Sequence, residues 1–121
     1  MKILLIDDDE ATATGFATAL KNEGFETDHA ANGNDGLSKA RSGNPDLILL
    51  DQILPDIQGN AILKQLKADE KTKTIPVIML SNFRQEELVK EAINQGAVDY
   101  LAKYQVEPKD VIDKVKETLK Q

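Results

Sequence analysis

The sequence predicts an α/β domain built as a three-layer, doubly wound, five-stranded parallel sheet. Three observations point there. Short apolar runs alternate with helical patterns along all 121 residues, and strand–helix alternation implies parallel pairing through right-handed crossovers. The runs "ILLI", "LILL" and "VIML" are apolar at every position, as strands covered by helices on both faces should be. Two of these runs stop abruptly at acid: "KILLIDDDE" and "LILLDQILPDIQG".

Each element follows from its local pattern. "KILLI" (2–6) reads as the first strand. Ala13, Phe16, Ala17 and Leu20 then fall at i, i+3, i+4 and i+7, a helical stripe closed by Gly24 as a left-handed cap. "FETDHA" (25–30) alternates weakly and predicts a more exposed second strand, and a short helix over about 34–42 ends at Gly43, Asn44 and Pro45. "DLILLD" carries the third strand. A helix over about 59–69 turns Ile62, Leu63 and Leu66 inward. Pro76 opens "VIML" (77–80), since proline is tolerated at a strand's first residue. "QEELVKEAINQ" is helical and stops at Gly96. "DYLA" (99–102) is the fifth strand. Pro108 starts the last helix, with Val111, Ile112, Val115 and Leu119 on one side. There is no repeat, linker or low-complexity tract, and one domain over 1–121 is expected.

Composition narrows the function. Cysteine is absent, which excludes disulfides, thiolate metal sites and thiol chemistry. A net charge of −6 argues against direct nucleic-acid binding, which draws most of its affinity from phosphate neutralisation. No apolar run approaches the roughly 18 residues of a spanning helix. The N-terminus has no signal-peptide pattern, so no membrane association and a cytoplasmic location are expected.

In a doubly wound sheet, ligands bind beyond the carboxyl ends of the strands. Those ends carry Asp7–Asp9, Asp51, Ser81 and Lys103. Crowded carboxylates repel each other unless a cation neutralises them. Oxygen ligands without His or Cys suit a hard ion such as Mg²⁺. A lysine and a hydroxyl on the same rim fit a carboxylate nucleophile attacking phosphorus, with the cations balancing charge on the transferring group. The product of such a step is an aspartyl phosphate.

With these residues in order, the whole chain resembles a response-regulator receiver domain of two-component signalling, of the single-domain chemotaxis type. An acidic pair after the first strand is matched by Asp7 and Asp8, and the pattern Asp-x-x-x-Pro-x-x-x-Gly by Asp51, Pro55 and Gly59. The terminal Ser/Thr of the fourth strand, the aromatic of the fifth and the lysine that ends it are matched by Ser81, Tyr100 and Lys103. The resemblance implies the flavodoxin-like strand order 2-1-3-4-5. It implies Asp51 as phosphoacceptor, and Asp8, Asp51 and the Ile53 backbone carbonyl as direct Mg²⁺ ligands, with Asp7 acting through water. Lys103 would pair with Asp51 and then with the phosphoryl group. Ser81 and Tyr100 would form the switch, and Asn82, Phe83 and Ile53 would flank the phosphoryl group. The implied partners are a histidine kinase or phosphotransfer protein as donor, and an effector protein or self-dimer meeting the fourth helix, fifth strand and fifth helix. With no output domain following in this chain, output through protein contact is expected.

Two positions depart from the family pattern. Tyr104 stands where proline usually follows the lysine. A cis bond before a non-proline residue costs about 3 kcal/mol, so a trans bond is expected. Asn82 stands where a very small residue is usual, and is expected to narrow access for the phosphodonor.

Plainer roles compete for these residues. Asp9 and Glu10 suit a helix N-terminus, and capping alone accounts for them. Tyr100 could be half-buried packing with its hydroxyl in water. His29 has no partner within sequence reach and reads as a surface residue, and the charges of 64–73 read as a solvated helix face. Two other functions also compete. Asp7 and Asp9 have the Asp-x-Asp spacing of a haloacid-dehalogenase-like phosphatase, but Ala11 stands where that family has Thr or Val, and the chain is short for that fold with a substrate cap. A phosphate-independent interaction module on the same fold would tolerate Tyr104 and Asn82.

Overall fold

The structure, a computed structural model, describes residues 1–120. Ten elements alternate: β1 (Lys2–Ile6), α1 (Glu10–Asn22), β2 (Glu26–Ala30), α2 (Gly33–Gly43), β3 (Leu47–Leu50), α3 (Gly59–Ala68), β4 (Val77–Ser81), α4 (Glu86–Asn94), β5 (Asp99–Ala102) and α5 (Pro108–Leu119). The strands form one parallel sheet in the order β2-β1-β3-β4-β5. This is the doubly wound flavodoxin-like arrangement the sequence leads one to expect.

The strand period of two divides the apolar runs between two cores. Leu4, Ile6, Ile48, Leu50, Val77 and Met79 pack with Leu37 of α2, Ile62, Leu63 and Leu66 of α3 and Ala92 of α4. Ile3, Leu5, Leu47, Leu49, Ile78 and Leu80 pack with Phe16 and Leu20 of α1 and Val111, Ile112 and Val115 of α5. Both sheet faces are therefore covered, and apart from Lys2 and Ser81 at strand ends β1, β3 and β4 are apolar on both sides.

The helix ends follow their local chemistry. Asp9 caps α1, its carboxylate accepting from Thr12 N at 3.2 Å and from Thr12 Oγ1 at 2.9 Å. At the other end, Phe25 N donates to Leu20 O at 3.1 Å and Gly24 N to Lys21 O at 3.0 Å. That paired closure needs a left-handed residue, and Gly24 supplies it at φ 91°. Pro108 occupies the first turn of α5, where Glu107 and Asp110 form a reciprocal capping box.

Candidate functional site

The parallel register brings the polar strand ends to one rim. Asp7 N donates to Ala30 O of β2, and Asp51 N donates to Ile6 O of β1, each at 3.0 Å. Asp51 thus stands beside the end of the neighbouring strand. Lys103 N donates to Ser81 O at 3.2 Å, so the lysine leaves β5 alongside the last residue of β4. Ser81 lies within β4 rather than just beyond it, and its side chain is fully buried.

Lys103 Nζ lies 2.8 Å from Asp7 Oδ2 and 3.0 Å from Asp51 Oδ2. All three residues are nearly closed to solvent, at 7%, 5% and 7% exposure respectively. Burial alone would lower the Lys103 pKa, but hydrogen bonds to Asp7 and Asp51 outweigh it and hold the ammonium above the ordinary lysine value. For Asp7 the balance runs the other way. Burial raises its pKa, and the Lys103 hydrogen bond offsets this only in part. One ammonium shared by two carboxylates cannot fully satisfy either.

Asp8 is exposed at the same rim, and carboxylate oxygens of Asp7, Asp8 and Asp51 lie within 4.8 Å of one another. A cluster of three carboxylates with no sulfur or imidazole donor fits a hard divalent cation such as Mg²⁺. The cleft above the cluster is lined by Asp8, Asp9, Asp51, Ile53, Ser81, Asn82, Phe83, Lys103 and Tyr104. Ile53 and Phe83 remain 42% and 49% exposed there.

Two loops meet at the mouth of this cleft. The Asn82 side chain accepts a hydrogen bond from Tyr104 N at 2.9 Å. The peptide between Lys103 and Tyr104 is trans, as expected. Behind the cleft, Ser81 Oγ accepts from Phe83 N at 3.1 Å. The Tyr100 hydroxyl donates to the carbonyl of the same Phe83. Tyr100 is 2% exposed, so its hydroxyl is inward rather than in water.

His29 requires a correction. It is only partly exposed, and its Nε2 lies 2.6 Å from the Asp7 carbonyl oxygen, which fixes Nε2–H as the donor. The sequence shows no such partner because the partner is backbone, brought near by the β1–β2 register. Asp56 is a second residue that sequence reasoning misses. Its carboxylate accepts from Gly33 N at 2.7 Å and Asn34 N at 2.9 Å, tying the Asp51 loop to the start of α2. Gln52 and Asn60, both buried, are a third omission. Asp9 lines the cleft but its carboxylate is engaged in capping α1, while the metal-competent carboxylate cluster is Asp7, Asp8 and Asp51.

Comparison with known proteins agrees with this geometry. The family model described as "Response regulator receiver domain" matches residues 3–116. Protein PilH of Pseudomonas aeruginosa is 35% identical over 102 residues, covering 84% of this chain and 84% of PilH. The DNA-binding dual master transcriptional regulator RpaA of Synechocystis is 37% identical over 102 residues. That match covers 84% of this chain but only 42% of RpaA, so the chain spans less than half of that relative. The crystal structure of a CheY-like response regulator receiver domain protein from Methanospirillum hungatei superposes with a TM-score of 0.92 at 32% identity, covering 98% of this chain and 93% of that one. With its strand order, its acidic rim and these relatives in agreement, the chain belongs to the response regulator receiver domain family.

Proposed function

We propose that residues 1–121 act as a phosphorylation-dependent signalling switch whose phosphoacceptor is Asp51. The observation that carries this reading is the placement of Lys103 Nζ between Asp7 and Asp51, beneath a cleft that also presents Asp8 and Ser81. An Asp51 carboxylate oxygen attacks the phosphorus of a phosphohistidine on a histidine kinase or phosphotransfer protein. The O–P bond forms, the P–N bond breaks, and the departing imidazole keeps the electron pair and takes up a proton. Lys103 and the Ser81 hydroxyl then face the phosphoryl oxygens. Asp8, Asp51 and the Ile53 backbone carbonyl would hold Mg²⁺ directly and Asp7 through water; the ion supplies positive charge for the transferring group.

The readout follows from the bonds at Phe83. Ser81 holds its N–H and Tyr100 its carbonyl. When the Ser81 hydroxyl turns to a phosphoryl oxygen, the 82–85 loop loses one of its two hydroxyl ties. The equilibrium between two arrangements of that loop, Tyr100 and α4 then shifts. The output surface is α4, β5 and α5, offered to an effector protein or a second copy of the chain. No external substrate is turned over, and the setting is cytoplasmic, without nucleic-acid or membrane contact.

The test is incubation with Mg²⁺ and acetyl phosphate followed by intact mass. An adduct of about 80 Da that is absent in Asp51→Asn supports the reading. A phosphate-independent interaction module has one observation in its favour, the Asn82–Tyr104 bond across the cleft mouth. Absence of both an adduct and any Mg²⁺ response would select it.

A further inference from the structure

Gln52, the residue after Asp51, has no exposed surface, and Asn60 in the first turn of α3 is 3% exposed. Buried amides are costly unless their polar atoms are paired. Here every one of them is. Gln52 Oε1 accepts from Asn60 N, and Gln52 Nε2 donates to Asn60 Oδ1, both at 2.8 Å. The second Gln52 N–H reaches the Tyr100 hydroxyl at 3.4 Å. Asn60 Nδ2 donates to Leu88 O at 3.1 Å and to Glu91 Oε1 at 2.7 Å, both on α4.

The pair is therefore joined to the Asp51 segment, the start of α3, β5 and α4. Its two bonds to α4 add to that helix's apolar packing. Ala92 is the only fully buried residue of α4, with half-buried Val89 packed against the same core. Apolar side chains could fill the same volume but would set no fixed spacing between the four segments.

We propose that Gln52 and Asn60 are positioning residues that transmit a displacement of the Asp51 segment to α4, in parallel with the Ser81–Phe83–Tyr100 connection. The proposal rests on Asp51 being the phosphoacceptor. A change of partners at Asp51 moves the peptide it shares with Gln52. The Gln52 amide, bound on both sides to Asn60, then takes the two Asn60–α4 bonds with it.

The experiment is amide NMR of the intact chain with Mg²⁺ and beryllofluoride, an analogue of the bound phosphoryl group. It compares wild type with Asn60→Leu and with Glu91→Ala. Glu91 is exposed, so its removal tests the α4 end of the chain without disturbing the core. The expected result is a full beryllofluoride shift at Asp51 in all three proteins, with most of the shift at Leu88 and residue 91 lost in Asn60→Leu and the shift at residue 91 reduced in Glu91→Ala, which keeps the bond to Leu88 O. Wild-type-sized α4 shifts in Glu91→Ala, or in a folded Asn60→Leu, would overturn the proposal while leaving the phosphoacceptor reading intact. A wild-type protein with no shift at Asp51 would overturn both.

Discussion

Gly59 leaves no room for a side chain beside Asp51. A Cβ at Gly59 would overlap the Asp51 carbonyl oxygen and stand 2.7 Å from Gln52 Cα. These are backbone atoms, which cannot swing aside as a side-chain tip can. Gly59 N also donates to Gln52 O at 2.8 Å, so α3 starts directly against the segment that carries Asp51, the proposed phosphoacceptor. The final Gly of the Asp-x-x-x-Pro-x-x-x-Gly pattern is thus a requirement of close approach. Gly59→Ala is expected to cost about 2–3 kcal/mol in urea unfolding and to reduce phosphoryl uptake at Asp51. An unchanged unfolding midpoint would show that α3 can slide away freely.

Lys103 is the one cation paired with Asp7 and Asp51 among the described residues. Lys103→Met leaves two buried carboxylates facing each other without compensation. Without metal, the loss should be about 3 kcal/mol, measured by urea unfolding in EDTA. Saturating Mg²⁺ should recover part of it, because the ion supplies the missing positive charge. No recovery with Mg²⁺ would count against the acidic rim as a metal site.

Asp7 contributes one limb of the pH dependence of the metal-free protein. Its folded pKa lies above the ordinary 3.8 because it is buried. Between those two values the native state binds the proton more tightly than the unfolded chain, so stability falls as pH rises through the window. Asp9, held down by the Thr12 N–H, and Asp56, held down by the Gly33 and Asn34 N–H groups, behave oppositely. Their stabilisation is present above 3.8 and is lost as pH falls through their lowered values. Acidification from neutrality should first raise the urea midpoint and then lower it below the ordinary carboxyl value. Asp7→Asn should remove the rise and keep the fall; a rise that survives the substitution would assign it to another group.

Ile53 and Phe83 flank the cleft, and neither can orient a water molecule. Ile53→Asn combined with Phe83→Glu should speed hydrolysis of the aspartyl phosphate about tenfold, since a placed polar group can align and activate water. Phosphate release after removal of the donor measures it. An unchanged rate would mean that the two side chains do not control access to phosphorus.

The sheet is legible in the sequence because helices cover both of its faces. An interior strand then has no polar positions, and "ILLI", "LILL" and "VIML" announce themselves. The acidic rim is legible for the related reason that a strand end is where charge first meets water. What escapes is chemistry set by register and by packing between distant segments. His29 reads as surface because its partner is a carbonyl just past the end of β1. Gln52 and Asn60 read as ordinary loop and helix residues, since nothing linear distinguishes a buried amide from a solvated one.

The bond from Tyr104 N to Asn82 joins the two places where this chain leaves its family's usual pattern. A proline at 104 has no N–H to give, and a very small residue at 82 has no oxygen to receive it. The two departures are halves of one feature, and this bears on anyone building chimaeras from receiver domains. Restoring proline alone, or shrinking residue 82 alone, breaks this tie between the loops and leaves the other partner to water. The loop after β4 and the loop after β5 form a matched set and should be exchanged together.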